Sequence, residues 1–496
     1  MRLTAADAGN LPAWVRRSTY DRGEPGRRMV HLGIGAFHRA HQAVYTEDAM
    51  EAGDRNWRIT GVSLRAPAVR DALQPQDCLY SILERGGDEQ LRLIGAIGNV
   101  LVAPEDPTAV VAAIADPHTS IVTITVTEKG YYRQPGTGGL TFDAPEIASD
   151  LRRAAPRTIY GCIADALALR RARGGNGLTL VSCDNLPGNG RLLRTLLLEF
   201  LERRDASLRA WAEQQVACPD TMVDRIVPTT SAADIDRIES LTGLRDEALV
   251  VTEPFRQWVI ENRFAGPRPR WEAGGAQLVD DVAPFELAKL RLLNGSHSTL
   301  AYMGRALGHD FVHQAIADPD LGRFVRLQME EAAPTLQPAG GLDAATYGAA
   351  ILKRFENSEL PHRLEQIAMD GSHKIPQRWL ATTVERAARS EQSPHHLLSL
   401  AAWIAYTRGR TASGETYLVD DPLRDRFAEI WDAGGLDAGT VVDGFVHTSG
   451  IFPKAFSERP DQIGRLAEIV REWLDQGPRR VLQRHLAERR APCPQA

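Results

Sequence analysis

A lysine, an amide and an imidazole lie close together in the segment 284–304, which reads PFELAKLRLLNGSHSTLAYMG. On an α-helix, Asn294 lies about 140° and His297 about 80° from Lys289, so all three can share one broad face. A partly desolvated lysine has a lowered pKa and can exchange a proton near neutral pH, while an amide and an imidazole fix its geometry. The segment therefore predicts an acid/base site. The alternative is an amphipathic helix with a solvated lysine and a satisfied histidine.

Three apolar runs precede this segment, and their composition predicts buried strands. Each run ends in glycine or polar residues, and in an open parallel sheet such ends line the ligand crevice. The residues at these ends are Gly33-Ile34-Gly35, Thr127-Glu128-Lys129 and Asp184-Asn185. The pattern predicts a ligand site at the carboxyl edge of a parallel sheet.

The first run is followed by a glycine turn and a helix-like segment, 37–53, which is the opening unit of a dinucleotide-binding sheet. His38 replaces the third glycine of the GxGxxG pattern, so the turn by itself is a weak signal. The predicted strand 57–62 is not followed by the acidic residue that would hold an NAD ribose, and Arg65 could meet a 2′-phosphate. The choice between NAD and NADP stays open at this level.

The chain predicts an α/β fold with two domains. Residues 1–280 carry the strands and form a Rossmann-type dinucleotide-binding domain, which ends after the Pro/Gly-rich loop 264–275, FAGPRPRWEAGG. Residues 281–496 show Ala/Leu/Arg/Glu periodicity and few alternating runs. They predict a mostly α-helical domain that carries substrate and catalysis.

Composition points to a soluble protein that acts on small molecules. Of 496 residues, 43% are hydrophobic and 25% charged, and the formal net charge is -6, which argues against nucleic acid or an anionic membrane as partner. An apolar leader and a run of eighteen apolar residues are both lacking, so we expect a cytoplasmic protein. The five cysteines are scattered, which fits reduced thiols, and Cys183 is expected to pack at a strand end.

Six motifs, in order along essentially the whole chain, resemble the polyol-specific long-chain dehydrogenase/reductase family. This group includes mannitol 2-dehydrogenase and fructuronate reductase. The motifs are HLGIGAFHRAHQAVY at 31–45, TVTEKGY at 125–131, SCDN at 182–185, MVDRIVP at 222–228, EPFRQWVIE at 253–261 and KLRLLNGSHSTLAYMG at 289–304. The resemblance implies an N-terminal nucleotide-binding domain, a helical C-terminal domain, NAD as cofactor and no catalytic metal. It also mildly favours a monomer.

The resemblance assigns catalytic roles to four residues. Lys289 is implied as the general acid/base, Asn185 and Asn294 as hydrogen-bond donors to the reacting oxygen, and His297 as the residue that orients the site. In ketone reduction the carbonyl oxygen gains negative charge, which amide donors stabilise while the lysine supplies a proton. These residue types therefore suit the implied reaction.

Further roles follow from the same motifs. The cofactor-binding residues would be Gly33, Gly35, Ala36 and Phe37. Glu128 would pass protons to solvent at the mouth of the site; its alternative is a salt bridge at a strand end. His38 and His41 are the one pair with some likeness to metal-ligand spacing, and they are better explained as part of the helix after the glycine turn.

Positive charge beside the motifs favours a sugar acid over a neutral polyol, because a carboxylate needs fixed cations. We expect Lys129, Arg256 and Lys374 to bind substrate, whereas Arg291, two residues from Lys289, should face elsewhere. The hypothesis is NAD-dependent interconversion of D-fructuronate and D-mannonate. The alternatives are a mannitol or arabinitol 2-dehydrogenase and, in a different class, a non-catalytic dinucleotide or sugar-acid sensor.

Overall fold

The computed structural model describes residues 1–18, 20–23, 26–134, 136–411 and 414–488. The chain divides into two compact units, Met1–Ala283 and Pro284–Ala496. Cys493 lies outside the described residues. The other four cysteines are buried and free, and burial raises the pKa of the Cys183 thiol well above its usual value.

The first unit is built on a parallel six-stranded sheet in the order β5-β2-β1-β6-β7-β8. Two three-stranded sheets, β10-β3-β4 and β12-β11-β9, accompany it. The strands are β1 Arg27–Leu32, β2 Trp57–Ser63, β3 Tyr80–Glu84, β4 Gln90–Ile94, β5 Ile97–Val102, β6 Thr119–Ile124, β7 Leu178–Ser182, β8 Val216–Ala217, β9 Thr221–Asp224, β10 Val250–Thr252, β11 Gln257–Glu261 and β12 Gln277–Val279. Strand order reverses at β1 and β6, which is where a doubly wound sheet binds its ligand.

Helices cover the sheet, and side chains alternate between two apolar cores. Val30 and Leu32 of β1 point into one core, whereas Met29 points into the other. A strand covered on both faces reads as a continuous apolar run, which is why β1, β6 and β7 could be located from sequence. The helices of this unit are α1 Ala36–Ala40, α2 Gln42–Glu51, α3 Ala68–Leu73, α4 Pro107–Ala115, α5 Pro145–Leu151, α6 Ile159–Ala172, α7 Asn189–Arg204, α8 Ala206–Gln215 and α9 Ala232–Thr242.

The helical segment expected over 37–53 is two helices, because the backbone breaks at His41, which has φ -123° and ψ -87°. Its first piece, α1, starts directly after the glycine turn. The second piece, α2, is buried over nearly its whole length, so it lacks the amphipathic pattern that would mark it as separate.

The second unit is helical, and no β-strand occurs among its residues 284–411 and 414–488. Its helices are α10 Ala283–Ala288, α11 Gly295–Ala306, α12 Val312–Ala317, α13 Pro319–Ala332, α14 Ala344–Phe355, α15 Leu364–Ala368, α16 Gly371–Ile375, α17 Ala381–Ala388, α18 Pro394–Tyr406, α19 Arg424–Gly434, α20 Ala438–Thr448, α21 Lys454–Ser457, α22 Pro460–Gln476 and α23 Pro478–Glu488. Helix α18, which is buried over nearly its whole length, packs in the centre of the unit with α11 and α22 beside it. Within the described residues, none of these helices has the length and apolar character needed to cross a membrane. The expected α/β fold with a helical second part is confirmed.

Gly33→Ala should destabilise the first unit strongly. Gly33 has φ +100°, and a Cβ placed on it would lie 1.9 Å from the backbone oxygen of Thr125, which directly follows the neighbouring strand β6. We expect the free energy of unfolding to fall by about 4 kcal/mol or more, measured by denaturant titration.

Gly243→Ala is the matched control, because Gly243 has φ +75° with nothing within 4 Å of the added Cβ. It should lose only the about 1–2 kcal/mol of left-handed backbone strain. Equal losses for the two variants would contradict the steric account of Gly33.

Candidate active site

The carboxyl ends of three neighbouring strands lie side by side in the first unit. Leu32 at the end of β1 pairs with Ile124 of β6, which in turn pairs with Ser182 of β7. Because the strands are parallel, the loops that follow them leave the sheet at the same edge. The structure therefore brings the glycine turn, the loop carrying Glu128, and Asn185 to one edge of the sheet.

The glycine turn fits the pyrophosphate of a dinucleotide. The N–H of Gly35 donates to the carbonyl of Gly33 at 2.6 Å, and α1 begins at the next residue. No side chain in the described part of the chain caps this helix start, so the N–H groups of Ala36 and Phe37 can face a ligand. Anions bind at such helix starts through these N–H groups and the helix dipole. All four predicted cofactor residues belong to this turn.

A buried histidine supports the turn from below. Nε2 of His31 lies 3.1 Å from the carbonyl of Gly33 and 2.9 Å from Oγ1 of Thr125. Its Nδ1 lies 2.8 Å from Oγ1 of Thr123, and its ring stacks on His38. Burial lowers the pKa of His31 to about 3, so the ring is neutral at physiological pH. This histidine therefore holds the turn without adding charge.

His38 and His41 point to different surroundings. His38 stacks on His31, whereas Nε2 of His41 lies 2.9 Å from the backbone oxygen of Gln257 and its ring stacks on Phe37. Among the residues that the structure describes, no group of three or more His, Cys, Asp or Glu is arranged to hold a metal ion. Both imidazoles pack within the segment after the glycine turn.

Asp184 ties together the ends of β6 and β7. Its carboxylate accepts hydrogen bonds from the N–H of Val126 at 3.0 Å, the N–H of Thr127 at 2.8 Å and the hydroxyl of Tyr131 at 2.9 Å. Burial raises the pKa of Asp184, and these hydrogen bonds oppose the rise. The loop after β6 is therefore fixed to the residue that directly precedes Asn185.

Three predicted site residues around this anchor are exposed. Asn185 follows Asp184 directly, and Glu128 and Lys129 stand in a 3₁₀ turn, Glu128–Tyr131. The residue before that turn, Thr127, has φ +63°. Non-glycine residues with positive φ are strained, and such strain concentrates at functional sites. The roles assigned to these three side chains stay predictions.

Arg256 is already engaged within the first unit. Its guanidinium pairs with Asp48, donates to the carbonyl of Gly274 at 3.2 Å, and lies 4.7 Å from the centroid of the Tyr45 ring. A substrate carboxylate would have to compete with Asp48 for this arginine. Its assignment to substrate binding stays a prediction.

In the second unit, Lys289–Asn294 forms a π-helical turn between α10 and α11. The α-helical spacing expected for this segment is wrong within the turn. Hydrogen bonds of a π-helix join residues five apart, so Lys289 and Asn294 lie one above the other on the same side. Lys289 is buried, with 9% of its surface exposed. Single π-turns are rare and concentrate at functional sites.

Arg291 belongs to a structural ion pair. Its Nη1 donates to the carbonyl of Thr335 at 3.0 Å, and its Nη2 lies 2.8 Å from the carboxylate of Glu385. This agrees with the expectation that Arg291 faces elsewhere than Lys289.

A second π-helical turn, Pro376–Leu380, packs against the first. Nε1 of Trp379 donates to the carbonyl of Gly295 at 3.1 Å. Nη1 of Arg378 donates to the carbonyl of Asn294 at 3.2 Å and to Oγ of Ser298 at 2.7 Å. Two side chains of the second turn thus hold the junction between the first turn and α11.

His297 packs against Phe355 and His362 as a neutral ring. Its centroid lies 4.5 Å from that of Phe355 and 5.6 Å from that of His362. Burial lowers the pKa of His297 well below its usual value, and His362, Arg354 and Arg378 lower it further. A neutral imidazole can orient a hydroxyl by donating or accepting one hydrogen bond.

Lys374 is bonded to backbone within its own unit. Its Nζ donates to the carbonyls of Ile367 and Met369. Burial lowers the pKa of Lys374, and the nearby Arg378 lowers it further. Two of its three N–H donors are thus in use, and its role in substrate binding stays a prediction.

Two residues that hold backbone around the predicted site, Asp184 and Arg378, were given no role of their own from sequence. Asp184 carries a detectable signal, since it is a carboxylate at the end of a buried parallel strand and next to the predicted Asn185. Arg378 has a weaker one in Pro376, because a proline inside a helical pattern marks an interrupted helix. Neither signal reveals the bonding partners, which come from distant parts of the chain.

A parallel sheet with a glycine turn at its switch point, followed by a helical unit with a buried lysine, defines a Rossmann-type oxidoreductase. The family model described as mannitol dehydrogenase Rossmann domain matches residues 27–273, and the one described as mannitol dehydrogenase C-terminal domain matches residues 281–469. The chain belongs to the mannitol dehydrogenase family. The resemblance inferred from the six motifs is confirmed.

Relatives named for mannonate and relatives named for mannitol are similarly identical to this chain. The chain is 38% identical over 484 residues to a D-mannonate oxidoreductase of Escherichia coli. The aligned region covers 96% of this chain and 99% of the relative. It is 37% identical over 469 residues to a mannitol dehydrogenase of Saccharomyces cerevisiae, with 93% and 92% covered. A solved structure of Pseudomonas fluorescens mannitol 2-dehydrogenase with NAD and D-mannitol is 34% identical, with a TM-score of 0.82 and coverage of 98% and 100%.

Asp184→Asn should weaken both the first unit and the activity. A carboxamide cannot accept all three hydrogen bonds, and its NH2 group would face donors. We expect a loss of about 1–3 kcal/mol in the free energy of unfolding and about a tenfold fall in kcat/KM, measured by denaturant titration and steady-state kinetics.

Asp106→Asn serves as the control, because Asp106 caps α4 by accepting from the N–H of Ala109, and asparagine caps a helix about as well. If Asp184→Asn were as mild as this control, Asp184 would not be the anchor of the two strand ends.

Proposed function

We propose that this protein transfers a hydride between NAD(H) and the secondary-alcohol or ketone carbon of a sugar acid, interconverting D-mannonate and D-fructuronate. The observation that carries the proposal is the π-turn that begins at the buried Lys289 and ends at Asn294, because π-helical spacing puts these two residues on the same side. A proton donor and an amide donor on the same side suit an oxygen that changes between ketone and alcohol.

Asn294 and Lys289 have different roles at that oxygen. During reduction the carbon accepts a hydride, and the amide NH2 of Asn294 stabilises the negative charge that develops on the oxygen. The ammonium of Lys289 then gives its proton to the oxygen, which becomes a hydroxyl. In the oxidative direction the neutral lysine takes that proton back. The neutral His297 orients a substrate hydroxyl without competing for the proton.

NAD, when bound, supplies or accepts the hydride. The glycine turn, with its uncapped helix start among the described residues, supports this choice of cofactor class. The solved relative named above holds NAD, which favours NAD over NADP. The roles proposed for Asn185, Glu128 and Lys129 rest on the family resemblance.

The choice of a sugar acid rests on chemistry rather than on the identities of the relatives, which are similar for the two substrate classes. Positive charge beside the catalytic turn suits a carboxylate, and one relative is a D-mannonate oxidoreductase. The neutral-polyol alternative is supported by the mannitol dehydrogenases among the relatives. A cytoplasmic monomer is the proposed setting.

D-mannonate and D-mannitol form a sharp test pair, because mannitol carries a hydroxymethyl group where mannonate carries the carboxylate. We expect kcat/KM with NAD to be at least about 100-fold higher for D-mannonate, since a charge-assisted contact discriminates strongly. Steady-state oxidation of both substrates, with NAD and with NADP in parallel, measures this. A preference for mannitol would contradict the sugar-acid proposal, and higher kcat/KM with NADP would contradict the cofactor choice.

A further inference from the structure

Arg378 is half-buried, and its partners differ from those of three buried arginines of the chain. Arg225 and Arg291 each form an ion pair with a glutamate, and Arg92 pairs with Asp48. Within the described residues, Arg378 forms no ion pair, and it donates to a backbone carbonyl and a serine hydroxyl. Its positive charge is therefore not balanced by a carboxylate of its own unit.

Burial without a counter-charge is costly for this guanidinium. Desolvation lowers the pKa of Arg378 to about 10, and the nearby Tyr302 raises it slightly against this effect. The group still carries its charge at physiological pH. A desolvated charge without a counter-charge destabilises the folded protein. An anionic ligand that pairs with Arg378 would remove much of this free-energy cost.

The guanidinium also keeps its carboxylate-binding edge. Both hydrogen bonds to Asn294 and Ser298 leave from Nη1. Nε and Nη2 have no hydrogen-bond partner among the described residues. Neither atom is fully buried, so a ligand can reach both. These two nitrogens form the fork that binds a carboxylate with two parallel hydrogen bonds.

Arg378 is fixed beside the catalytic turn by these same contacts. It donates to the carbonyl of Asn294, and it lowers the pKa of His297. Two other cations of this unit are engaged elsewhere, because Arg291 pairs with Glu385 and Lys374 donates to backbone carbonyls. Arg378 thus combines a held position beside the turn with an open fork.

We propose that Arg378 binds the carboxylate of the substrate and sets the preference for a sugar acid over a neutral polyol. This inference rests on the proposed function. Nη1 holds the catalytic turn while Nε and Nη2 hold the acid group at the end of the sugar chain remote from the reacting carbon. One side chain thereby links recognition of the acid to the position of Asn294.

Two variants of Arg378 test the proposal with D-mannonate and D-mannitol as substrates. Arg378→Gln keeps an amide donor but loses the charge and the fork, and it should lower kcat/KM for mannonate by about 100-fold, mainly through KM. Mannitol oxidation should fall only by about tenfold, since mannitol loses the hydrogen bonds that hold the turn but has no carboxylate to lose. Arg378→Lys keeps the charge and should lose about tenfold on mannonate, so it decides the case if the glutamine variant does not fold.

Trp379→Phe is the matched structural control, because it removes the neighbouring hydrogen bond to the carbonyl of Gly295 without touching the fork. It should lower kcat/KM for both substrates by the same factor. Equal losses on the two substrates for the Arg378 variants would overturn the inference while leaving the proposed function intact. A wild-type preference for mannitol would instead overturn the proposed substrate itself, so the two failures are distinguishable.

Discussion

The packing of one π-helical turn against another is the constraint on which the proposed catalytic segment depends. The turn Lys289–Asn294 stacks its first and last residues, and the turn Pro376–Leu380 supplies the donors that hold it. Trp379 bonds to the carbonyl of Gly295 and Arg378 to that of Asn294. Without such a brace a π-turn relaxes readily, because α-helical bonding is more favourable for most residues. The rest of the helical unit, with α18 at its centre, provides the rigid scaffold for both turns.

The first unit uses a comparable device with different chemistry. There the irregular backbone is the loop after β6, where Thr127 takes a positive φ. The buried carboxylate of Asp184 accepts two backbone N–H groups from that loop, and the buried His31 supports the glycine turn on the neighbouring strand. In both units, predicted site residues stand on unusual backbone that buried polar side chains hold in place, which is a common arrangement at functional sites.

Sequence alone predicted the parts of the fold that local patterns encode. Buried parallel strands such as β1 and β7 appear as short apolar runs, and the glycine turn between β1 and α1 has a recognisable spacing. The π-turn was not predictable, because Lys289–Asn294 has ordinary helical propensities and the extra residue in the turn is set by contacts with Pro376–Leu380. The break at His41 was missed for a similar reason, since α2 is buried all round and no amphipathic pattern marks its start.

In the candidate site, too, residue types could be predicted from local sequence, whereas bonding partners could not. Lys289, Asn294 and His297 could be named from their types and spacing, together with the family resemblance. The bonding of Arg256 to Asp48 and of Lys374 to backbone carbonyls could not be anticipated, because these partners are distant in sequence or belong to the main chain. The proposed role of Arg378 could not be anticipated for the same reason. It depends on the hydrogen bond to the carbonyl of Asn294 and on the absence of an ion pair among the described residues.

The central claim, that Lys289 exchanges the proton with the reacting oxygen, is tested most directly by chemical rescue of Lys289→Ala. The account predicts a fall in kcat of about 1000-fold with nucleotide binding retained, and partial recovery when small primary amines are added in increasing concentration. Lys454→Ala, at a lysine on the surface with 86% of its side chain exposed, should behave as wild type. Unchanged turnover in Lys289→Ala with nucleotide still bound, or a loss that no amine restores, would contradict the assignment.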